Sequence, residues 1–485
     1  MIQFLKDNWW TIAIVLNYIL AIIAVTTILF KSINPTKTLT YIIVLLVFPF
    51  FGLIVYYFFG QEYRKNKIFN RKDVLNDKLI KSINEKLKID PESIAKYEAN
   101  ADDDQIRLIQ LLQKNDKSPL TKYNDVEIII DGENKFDKLF KDIEAAKQHI
   151  HIEYYILKDD KIGTKFLDLL CQKAEEGVKV RLSFDDVGSK ISSKMKSKMK
   201  DSKIQFHAFM PVLFPRFTGK MNYRNHRKIV IIDGEVGYVG GINVSDTYVN
   251  YPENEKYWRD THLRIEGEAV FSLQTQFLTN WNFVSDKTLD LDHSLFPQNK
   301  IKKVQPVQIA ASGPDTDWAN IMEAIFFAIV TAEDYVYITT PYFIPNDQII
   351  TAMQVASKSG VDVRLLIPEK SDSWTAKHAT NSYLEQLLKA NIKVYRYKKG
   401  FIHAKTMVVD DIFTTIGTCN MDYRSFNINF EINALIYNKD KAKQAKAIFN
   451  EDLENAELID FKRWQNRSNI TIIKEAYCRL WAPLL

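Results

Sequence analysis

Two uncharged apolar stretches stand at the start of the chain. The first runs from Trp9 to Phe30 and the second from Thr38 to Gln61. Each exceeds the roughly 20 residues that a helix needs to cross about 30 Å of hydrocarbon. Backbone polar groups inside a bilayer must be satisfied within their own segment, which favours helices. The pattern therefore predicts a two-helix membrane hairpin with spans at about 9–30 and 39–60, joined by a short connection that contains Pro35.

Basic residues predict the orientation of this hairpin. The connection holds Lys31 and Lys37, whereas Arg64, Lys65, Lys67, Arg71 and Lys72 follow the second stretch. Because Lys and Arg are enriched on the cytoplasmic side, the larger part of the chain is expected in the cytoplasm. A cleaved signal peptide is disfavoured, since the first apolar run is long and a second one follows. Buried core helices are the other alternative.

The pattern changes beyond a charged, helix-prone stretch at 62–122. Short apolar strands alternate there with helical segments, first at Val126–Ile130, 150–156 and 178–184, and again at 307–310, 335–340 and 361–367. Strands that alternate with helices predict α/β units with largely parallel pairing. The residues 177–182 (GVKVRL) match 360–365 (GVDVRL), a repeat too long for a solenoid and typical of a duplicated domain. The predicted division is 1–61, 62–122, 123–298 and 299–485.

Composition narrows the class of protein. The chain has 485 residues, of which 46% are hydrophobic, and a formal net charge of +5. This near balance argues against a strongly basic nucleic-acid binder. The three cysteines, Cys171, Cys419 and Cys478, are widely spaced, which disfavours both a disulfide framework and a zinc site.

Each half carries one H-x-K-x-x-x-x-D element. The first consists of His226, Lys228 and Asp233, and the second of His403, Lys405 and Asp410. The register continues, because Gly240 and Gly417 lie fourteen residues after the two histidines, and Asn243 and Asn420 lie seventeen residues after them. A single His-x-Lys is usually a solvent-exposed pair with no role in function, whereas two copies in one register are very unlikely to arise by chance.

The residue types in this pattern suit a phosphodiester. His and Lys two positions apart point to one face of a strand, so the two pairs converge if the halves pack about a pseudo-twofold axis. One imidazole is then a nucleophile at phosphorus, and the other an acid for the leaving alkoxide. Lysine ammonium groups and the amides of Asn243 and Asn420 neutralise the phosphoryl oxygens, so no metal or other cofactor is expected.

The carboxylates in the pattern have less certain roles. Asp260 and Glu431, each some thirty residues downstream of its own histidine, are candidates to orient the imidazoles. Asp233 and Asp410 stand at strand ends, where they are either chemical participants or turn and ion-pair residues. Glu153 and Tyr342 stand on matching strands and either line the cleft or pack in the core.

The duplicated motif with its trailing Gly and Asn resembles the phospholipase D superfamily, and within it the bacterial cardiolipin synthases. The similarity covers nearly the whole chain. It includes 34–38 (NPTKT), 151–155 (HIEYY), 225–228 (NHRK), 258–262 (WRDTH), 340–343 (TPYF), 422–427 (DYRSFN) and 479–485 (RLWAPLL). One departure is Thr418-Cys419, where a small serine-like pair is common after the glycine.

The resemblance implies an α/β fold in which the membrane hairpin is followed by two tandem phospholipase D-like αβα domains. It implies a phosphatidyltransferase of the bacterial cell membrane that converts two phosphatidylglycerol molecules into cardiolipin and glycerol. His226 is expected as the nucleophile and His403 as the acid and base. Basic residues near the cleft, Arg216, Lys220 and Arg224, either attract anionic headgroups or are solvated surface.

Three rival functions use the same residues. A hydrolytic phospholipase D, or a transferase acting on other lipids, differs only in its acceptor. A membrane-tethered nuclease is disfavoured because nucleases of this superfamily usually carry a single motif and form dimers. A catalytically inactive scaffold is disfavoured by the intact His and Lys residues. The oligomeric state is not readable from the sequence.

Overall fold

The computed structural model describes residues 6–30, 35–48, 50–53, 102–116, 118–210, 223–285, 289, 293–482 and 485. The chain divides into two compact units. The smaller comprises Met1–Arg64 and Val212–Asn222, and the larger comprises Lys65–Pro211 and Tyr223–Leu485. Arg216, Lys220 and the stretch 62–101 of the predicted linker lie outside the described residues.

In the smaller unit, helix α1 spans Trp9–Phe30, and its length and apolar composition suffice to cross a membrane. Helix α2, Pro35–Val47, packs against it around a small cluster that contains Ala21 and Leu45. Within the described residues α2 does not continue through the predicted span at 39–60. It ends two residues before Pro49, since proline lacks an N–H and disfavours helical backbone in the residue before it. Residues 54–60 lie outside the described part.

The larger unit alternates helices and strands. Its strands are β1 (Leu120–Ile130), β2 (His149–Tyr154), β3 (Lys179–Asp185), β4 (Gln205–Phe209), β5 (Ile229–Ile232), β6 (Val236–Gly240), β7 (Tyr257–Arg259), β8 (Thr261–Gly267), β9 (Val304–Ser312), β10 (Tyr335–Thr339), β11 (Phe343–Ile344), β12 (Asp362–Pro368), β13 (Lys393–Tyr397), β14 (Gly400–Ile402), β15 (Thr406–Val409), β16 (Phe413–Gly417), β17 (Met421–Asp422), β18 (Glu431–Ile436) and β19 (Ala456–Leu458). Its helices are α3 (Asp103–Asp116), α4 (Gly132–Ala145), α5 (Lys161–Glu175), α6 (Ser193–Asp201), α7 (Ala269–Val284), α8 (Asn320–Val330), α9 (Asp347–Lys358), α10 (Trp374–Lys389), α11 (Tyr423–Asn427), α12 (Lys439–Glu454), α13 (Phe461–Gln465) and α14 (Asn469–Arg479).

One 15-stranded sheet runs through both halves of this unit, in the order β19-β13-β12-β10-β15-β16-β18-β9-β1-β8-β6-β5-β2-β3-β4. The antiparallel pair β1–β9 joins the halves, and the strand order outward from this pair is the same on both sides up to β4 and β13. Parallel ladders join β2 to β3 to β4 and β10 to β12 to β13.

The prediction of largely parallel pairing is wrong for the rest of the sheet. Its other ladders are antiparallel, among them β5–β6 and β15–β16, which follow the two histidine motifs. For these two ladders the cause is the short length of the connection. A turn of a few residues, as at Asp233 and Gly234, can only return the chain antiparallel, whereas a parallel partner needs a long crossover.

Successive apolar residues on the central strands point to opposite faces of the sheet and so belong to different hydrophobic cores. On β5, Ile229 and Ile231 belong to a cluster shared by both halves, whereas Val230 and Ile232 belong to a cluster of the first half. Strands covered on both faces are apolar without alternation, which explains the unbroken run after each motif. Cys171, Cys419 and Cys478 are buried and free.

Helix α3 lies within the predicted linker 62–122. Its residues Leu108, Ile109 and Leu112 are buried in the core cluster of the second half. Strand β1 also begins before residue 123. The described end of the predicted linker is therefore part of the folded larger unit, because its apolar side chains supply one edge of that core.

The glycines that follow each motif permit a close approach between strands. An added Cβ at Gly417 would lie 2.4 Å from the carbonyl oxygen of Ile432, and one at Gly240 would lie 2.5 Å from the Cα of His262. These contacts fall on the β16–β18 and β6–β8 ladders, which lead to Glu431 and Asp260. Only glycine allows both ladders their observed spacing.

We predict that Gly417→Ala destabilises the protein by about 1–3 kcal/mol, because the added methyl group overpacks a rigid ladder. Thermal unfolding followed by circular dichroism in detergent measures the change. Gly177→Asn is the matched control, since Gly177 has φ 96° with nothing near its Cβ position, and asparagine tolerates positive φ. Equal stability of Gly417→Ala and the parent would contradict the close approach.

Candidate active site

Each motif places its histidine and lysine immediately before a central strand. His226 and Lys228 precede β5, and His403 and Lys405 precede β15. All four side chains are buried, and each histidine is less than a tenth exposed. The antiparallel ladders of β5 and β15 with their neighbours fix the backbone at this point, so the side chains emerge from the end of the sheet on rigid elements.

The imidazoles bind carboxylates of the opposite half. His226 Nδ1 lies 2.9 Å from Glu431 Oε2, and His403 Nδ1 lies 2.7 Å from Asp260 Oδ2. Both carboxylates are fully buried. The two carboxylates named from the sequence do contact the imidazoles, but each was assigned to the histidine of its own half, and the structure pairs each with the histidine of the other half. The separation of some thirty residues in sequence reflects position in the repeat, whereas contact is made across the interface.

The backbone enforces this crossed arrangement. The amide of His226 donates to the carbonyl of Phe430, one residue before Glu431, and the amide of His403 donates to the carbonyl of Arg259, one residue before Asp260. The short strands β7 and β14 pair in parallel just before Asp260 and His403. Each imidazole and its carboxylate are thus delivered together by main-chain hydrogen bonds.

The two carboxylates have different further partners. The Thr418 hydroxyl and the Asn429 amide donate to Glu431, whereas the backbone amide of Thr261 donates to Asp260. Thr418 corresponds in the repeat to Gly241, which has no room for a side chain because its Cβ would meet Asp260. The departure at Thr418 noted in the sequence therefore supplies a hydrogen bond within the first pair.

Burial controls the protonation of the imidazoles. Burial, together with the charges of Lys228 and Lys405, lowers the pKa of His226 to about 4 against the opposing effect of Glu431. Burial and the charge of Lys405 lower the pKa of His403 to about 3, although Asp260 raises it. Both imidazoles are neutral at physiological pH, as a histidine nucleophile requires. Because Nδ1 of each faces a carboxylate, Nε2 is the nitrogen left for chemistry.

The lysines are desolvated cations. The Nζ atoms of Lys228 and Lys405 donate to the carbonyls of His226 and His403. Burial lowers the pKa of Lys228 to about 7 and that of Lys405 to about 8, while Glu431 and Asp260 oppose the shift. A buried ammonium group gains strongly from an anion, so this pair favours a phosphate oxygen.

Asp233 and Asp410 are placed at turns. Asp233 accepts hydrogen bonds from the amides of residues 147, 148 and 149, and Asp410 accepts them from the amides of residues 333, 334 and 335. Both have positive φ. These contacts favour the turn alternative over a chemical role, because they engage both oxygens of each carboxylate.

The two asparagines hold nearby loops. Asn243 accepts from the amide of Ile156 and donates to the hydroxyl of Tyr248. Asn420 is buried, and its side-chain oxygen has no partner among the described residues. The side-chain oxygen of Asn243 therefore supports the loop after β2, and phosphate binding by the pair stays a prediction.

Glu153 and Tyr342, which the sequence placed either in the cleft or in the core, each form a polar contact. The carboxylate of Glu153 accepts a hydrogen bond from the side-chain amide of Asn225, the residue before His226. Tyr342 donates to Asp372 and is partly buried. Glu153 thus supports the loop that carries His226, whereas Tyr342 belongs to the second half beside β11.

Aromatic rings around the histidines were missed from the sequence. The ring of Tyr155 lies 4.9 Å from that of His226, and the ring of Trp258 lies 5.2 Å from that of His403. The buried indole N–H of Trp258 has no partner within the described part of the chain. The signal was their position, since Tyr155 follows β2 and Trp258 lies two residues before Asp260.

The crossed pairs predict selective effects of Glu431→Gln. An amide cannot supply the charge that supports protonated His226, so the pKa of His226 falls while that of His403 changes little. Turnover falls about 10²–10⁴-fold, as expected when a base loses its orienting partner. Nitrogen-15 NMR of labelled histidines measures both values. Asp260→Asn is the matched variant and affects His403 instead; an effect of Glu431→Gln on His403 alone would contradict the pairing.

Comparisons with known proteins agree with this geometry. The family model described as "Cardiolipin synthase, PLD-like domain" matches residues 139–277 and 325–453, one match in each half. The model described as "Phospholipase_D-nuclease N-terminal" matches residues 19–61. The two matches of the first model account for the internal repeat.

Full-length relatives give the same result. The cardiolipin synthase of Alkalihalophilus pseudofirmus is 38% identical over 99% of this chain and 95% of its own length. That of Listeria monocytogenes is 38% identical over 97% of this chain and 99% of its own length. The phosphatidylserine synthase of Haemophilus influenzae shares the fold, with a TM-score of 0.59 and 14% identity over 78% of this chain and 100% of that one. The chain belongs to the cardiolipin synthase family of the phospholipase D superfamily.

Proposed function

We propose that this enzyme transfers a phosphatidyl group between two phosphatidylglycerol molecules and so produces cardiolipin and glycerol. The observation that carries the proposal is the pair of buried, neutral imidazoles whose Nδ1 atoms are held by Glu431 and Asp260. Two imidazoles with free Nε2 atoms, beside two buried lysines, suit an exchange of alcohols at one phosphorus. Family membership supports the lipid substrate.

In the first step, Nε2 of His226 attacks the phosphorus of one phosphatidylglycerol. The bond from phosphorus to the glycerol headgroup oxygen breaks, and His403, which takes up a proton on Nε2 when the phosphate anion binds, gives that oxygen this proton. Glycerol leaves, and phosphatidyl-His226 remains. Glu431 stabilises the positive charge that develops on the attacking imidazole. Lys228 and Lys405 neutralise the charge on the phosphoryl oxygens.

The second step reverses the roles at the leaving position. His403, now neutral, takes the proton from a headgroup hydroxyl of a second phosphatidylglycerol. That oxygen attacks phosphorus, and the bond from phosphorus to Nε2 of His226 breaks. Cardiolipin leaves, and His403 again holds the proton needed for the next cycle. The bound phosphate anion supports the protonated form of His403, which burial alone disfavours.

We also propose how the domains and the membrane segment are arranged around this site. The two halves, at 123–298 and 299–485, form αβα domains related by a pseudo-twofold axis, which the repeated strand order supports. Residues 1–61 form a membrane hairpin, followed by the membrane-proximal stretch 62–122. The excess of basic residues after 61 supports a multi-pass protein of the bacterial cell membrane with its catalytic domains in the cytoplasm.

The first test is the product formed from phosphatidylglycerol vesicles without added metal. We expect cardiolipin and glycerol in equal amounts by mass spectrometry, and a loss of at least about 10³-fold for His226→Ala or His403→Ala. His207→Ala is the control histidine, because His207 lies on β4 against Trp281. Phosphatidic acid as the main product would replace the proposal with hydrolysis, and a different mixed lipid would indicate another transferase.

The lysines predict the alkaline side of the pH profile. The charged form of each lysine prevails below its pKa, about 7 for Lys228 and about 8 for Lys405. Phosphate binding, and with it kcat/KM, therefore declines as pH rises through this range, since the imidazoles of the free enzyme are neutral across it and do not change charge.

Lys228→Arg tests this assignment, because arginine keeps its charge to high pH. We expect the alkaline decline to move upward by about one pH unit or more, whatever the maximal rate. Initial rates from about pH 5 to pH 10 measure the shift. Lys161→Arg is the control, since Lys161 lies on the surface of α5. An unmoved decline in both Lys228→Arg and Lys405→Arg would assign it to other groups.

A further inference from the structure

Helix α14 presents an apolar stripe to solvent. Ile470, Ile473, Tyr477 and Leu480 are 67%, 66%, 53% and 78% exposed. Their spacing of three and four residues places them on one face of the helix. Trp481 follows at 44% exposed, with its ring 6.3 Å from that of Tyr477. Contiguous exposed apolar groups of this kind mark an interaction surface rather than scattered surface residues.

The opposite face of α14 fixes the helix in the fold. Glu475 and Cys478 are buried there, and Arg467, just before the helix, bonds both Glu475 and Glu385 of α10. The apolar stripe is therefore held facing outward by a packed and ion-paired inner face. It is not a core face that lost its partner.

Exposed basic residues stand on α14 and on the helix before it. They are Lys474 on α14, with Lys462 and Arg463 on α13, whereas Arg479 lies over the ring of Tyr383 on α10. An apolar face with Tyr and Trp at one end and cations beside it is the composition of helices that lie in the interface of an anionic bilayer. The same cations disfavour a second copy on this face, because the like charges of the two copies would meet.

The chain beyond α14 reaches the neighbourhood of the active site. The carbonyl of Leu485 accepts a hydrogen bond from the amide of Arg424 in α11. The charge of Arg424 acts on Tyr155, whose ring contacts His226. The residue five positions after Leu480 of the stripe therefore lies near the groups that surround His226.

From these observations we infer that α14 docks onto the surface of an anionic phospholipid bilayer and holds the active site beside its lipid substrates. The contact is separate from the span at α1. It rests on the proposed function in taking phosphatidylglycerol as the lipid of that surface, and it adds a second, reversible membrane contact on the catalytic unit.

The test uses the full chain reconstituted in phosphatidylglycerol vesicles. Ile473→Cys carries a bimane fluorophore, and Val355→Cys on α9 is the matched site, since Val355 is an isolated apolar residue, 57% exposed. The unsubstituted protein gives the background from its buried cysteines. We expect nitroxide-labelled lipids to quench the probe at 473 and not at 355, and aqueous iodide to do the reverse.

Activity gives a second readout. We expect Ile470→Asp/Ile473→Asp to lower turnover of vesicle phosphatidylglycerol about tenfold, because docking scales with buried apolar area. Turnover of monomeric dihexanoyl-phosphatidylglycerol stays unchanged, which shows that the fold and site are intact. Val355→Asp is the control and leaves both rates unchanged.

Each other outcome overturns the inference. Iodide quenching at 473 equal to that at 355 means that the stripe stays in water. Protection from both quenchers means that a second copy or another segment of the chain covers it. Quenching does not depend on catalysis, so a protein that docks without making cardiolipin refutes the proposed reaction alone, and one that makes cardiolipin without docking refutes only this inference.

Discussion

Neutralisation of buried charge across the two halves is the constraint on which the larger unit depends. His226, Lys228, His403 and Lys405 are almost fully removed from water, and so are Glu431 and Asp260. Leaving one such group without its partner costs several kcal/mol. Neither half contains the carboxylate for its own histidine, so neither half satisfies its own site. The charged groups therefore act on assembly of the halves as well as on catalysis.

Main-chain hydrogen bonds also join the two halves next to these buried charges. The crossed imidazole pairs are preceded by crossed backbone contacts, through β7 with β14 and through Asn225 with Phe430. Arg259, which precedes Asp260, also forms a buried bidentate pair with Asp452 of α12. Together with the β1–β9 ladder, these contacts join the halves in one sheet and one interface. A rigid interface keeps the two imidazoles in fixed relation, which positions them at no further entropic cost.

Sequence reasoning identified what is local and repeated. The histidines, the lysines, the duplicated α/β pattern and the glycines follow from letters at fixed spacing. It did not identify which histidine meets which carboxylate, because that depends on contacts between residues 205 and 143 positions apart in the chain. The antiparallel ladders were missed because buried strands look alike in either direction, and only connection length separates them. The roles of Thr418 and Tyr155 were not assigned, since each depends on which side chain it contacts in the folded chain.

In the proposed reaction, water must be kept from the phosphatidyl-histidine if an alcohol is to resolve it. The rings of Tyr155 and Trp258 lie against the two imidazoles, and both histidines are less than a tenth exposed. Such enclosure excludes solvent and strengthens the electrostatic contacts within the site. A lipid hydroxyl reaches phosphorus only if the enclosed cleft opens toward a membrane. In the proposed reaction, the residues that activate the lipid hydroxyl would activate water equally well. Transfer is then favoured over hydrolysis because the acceptor hydroxyl enters from the membrane and not from the solvent.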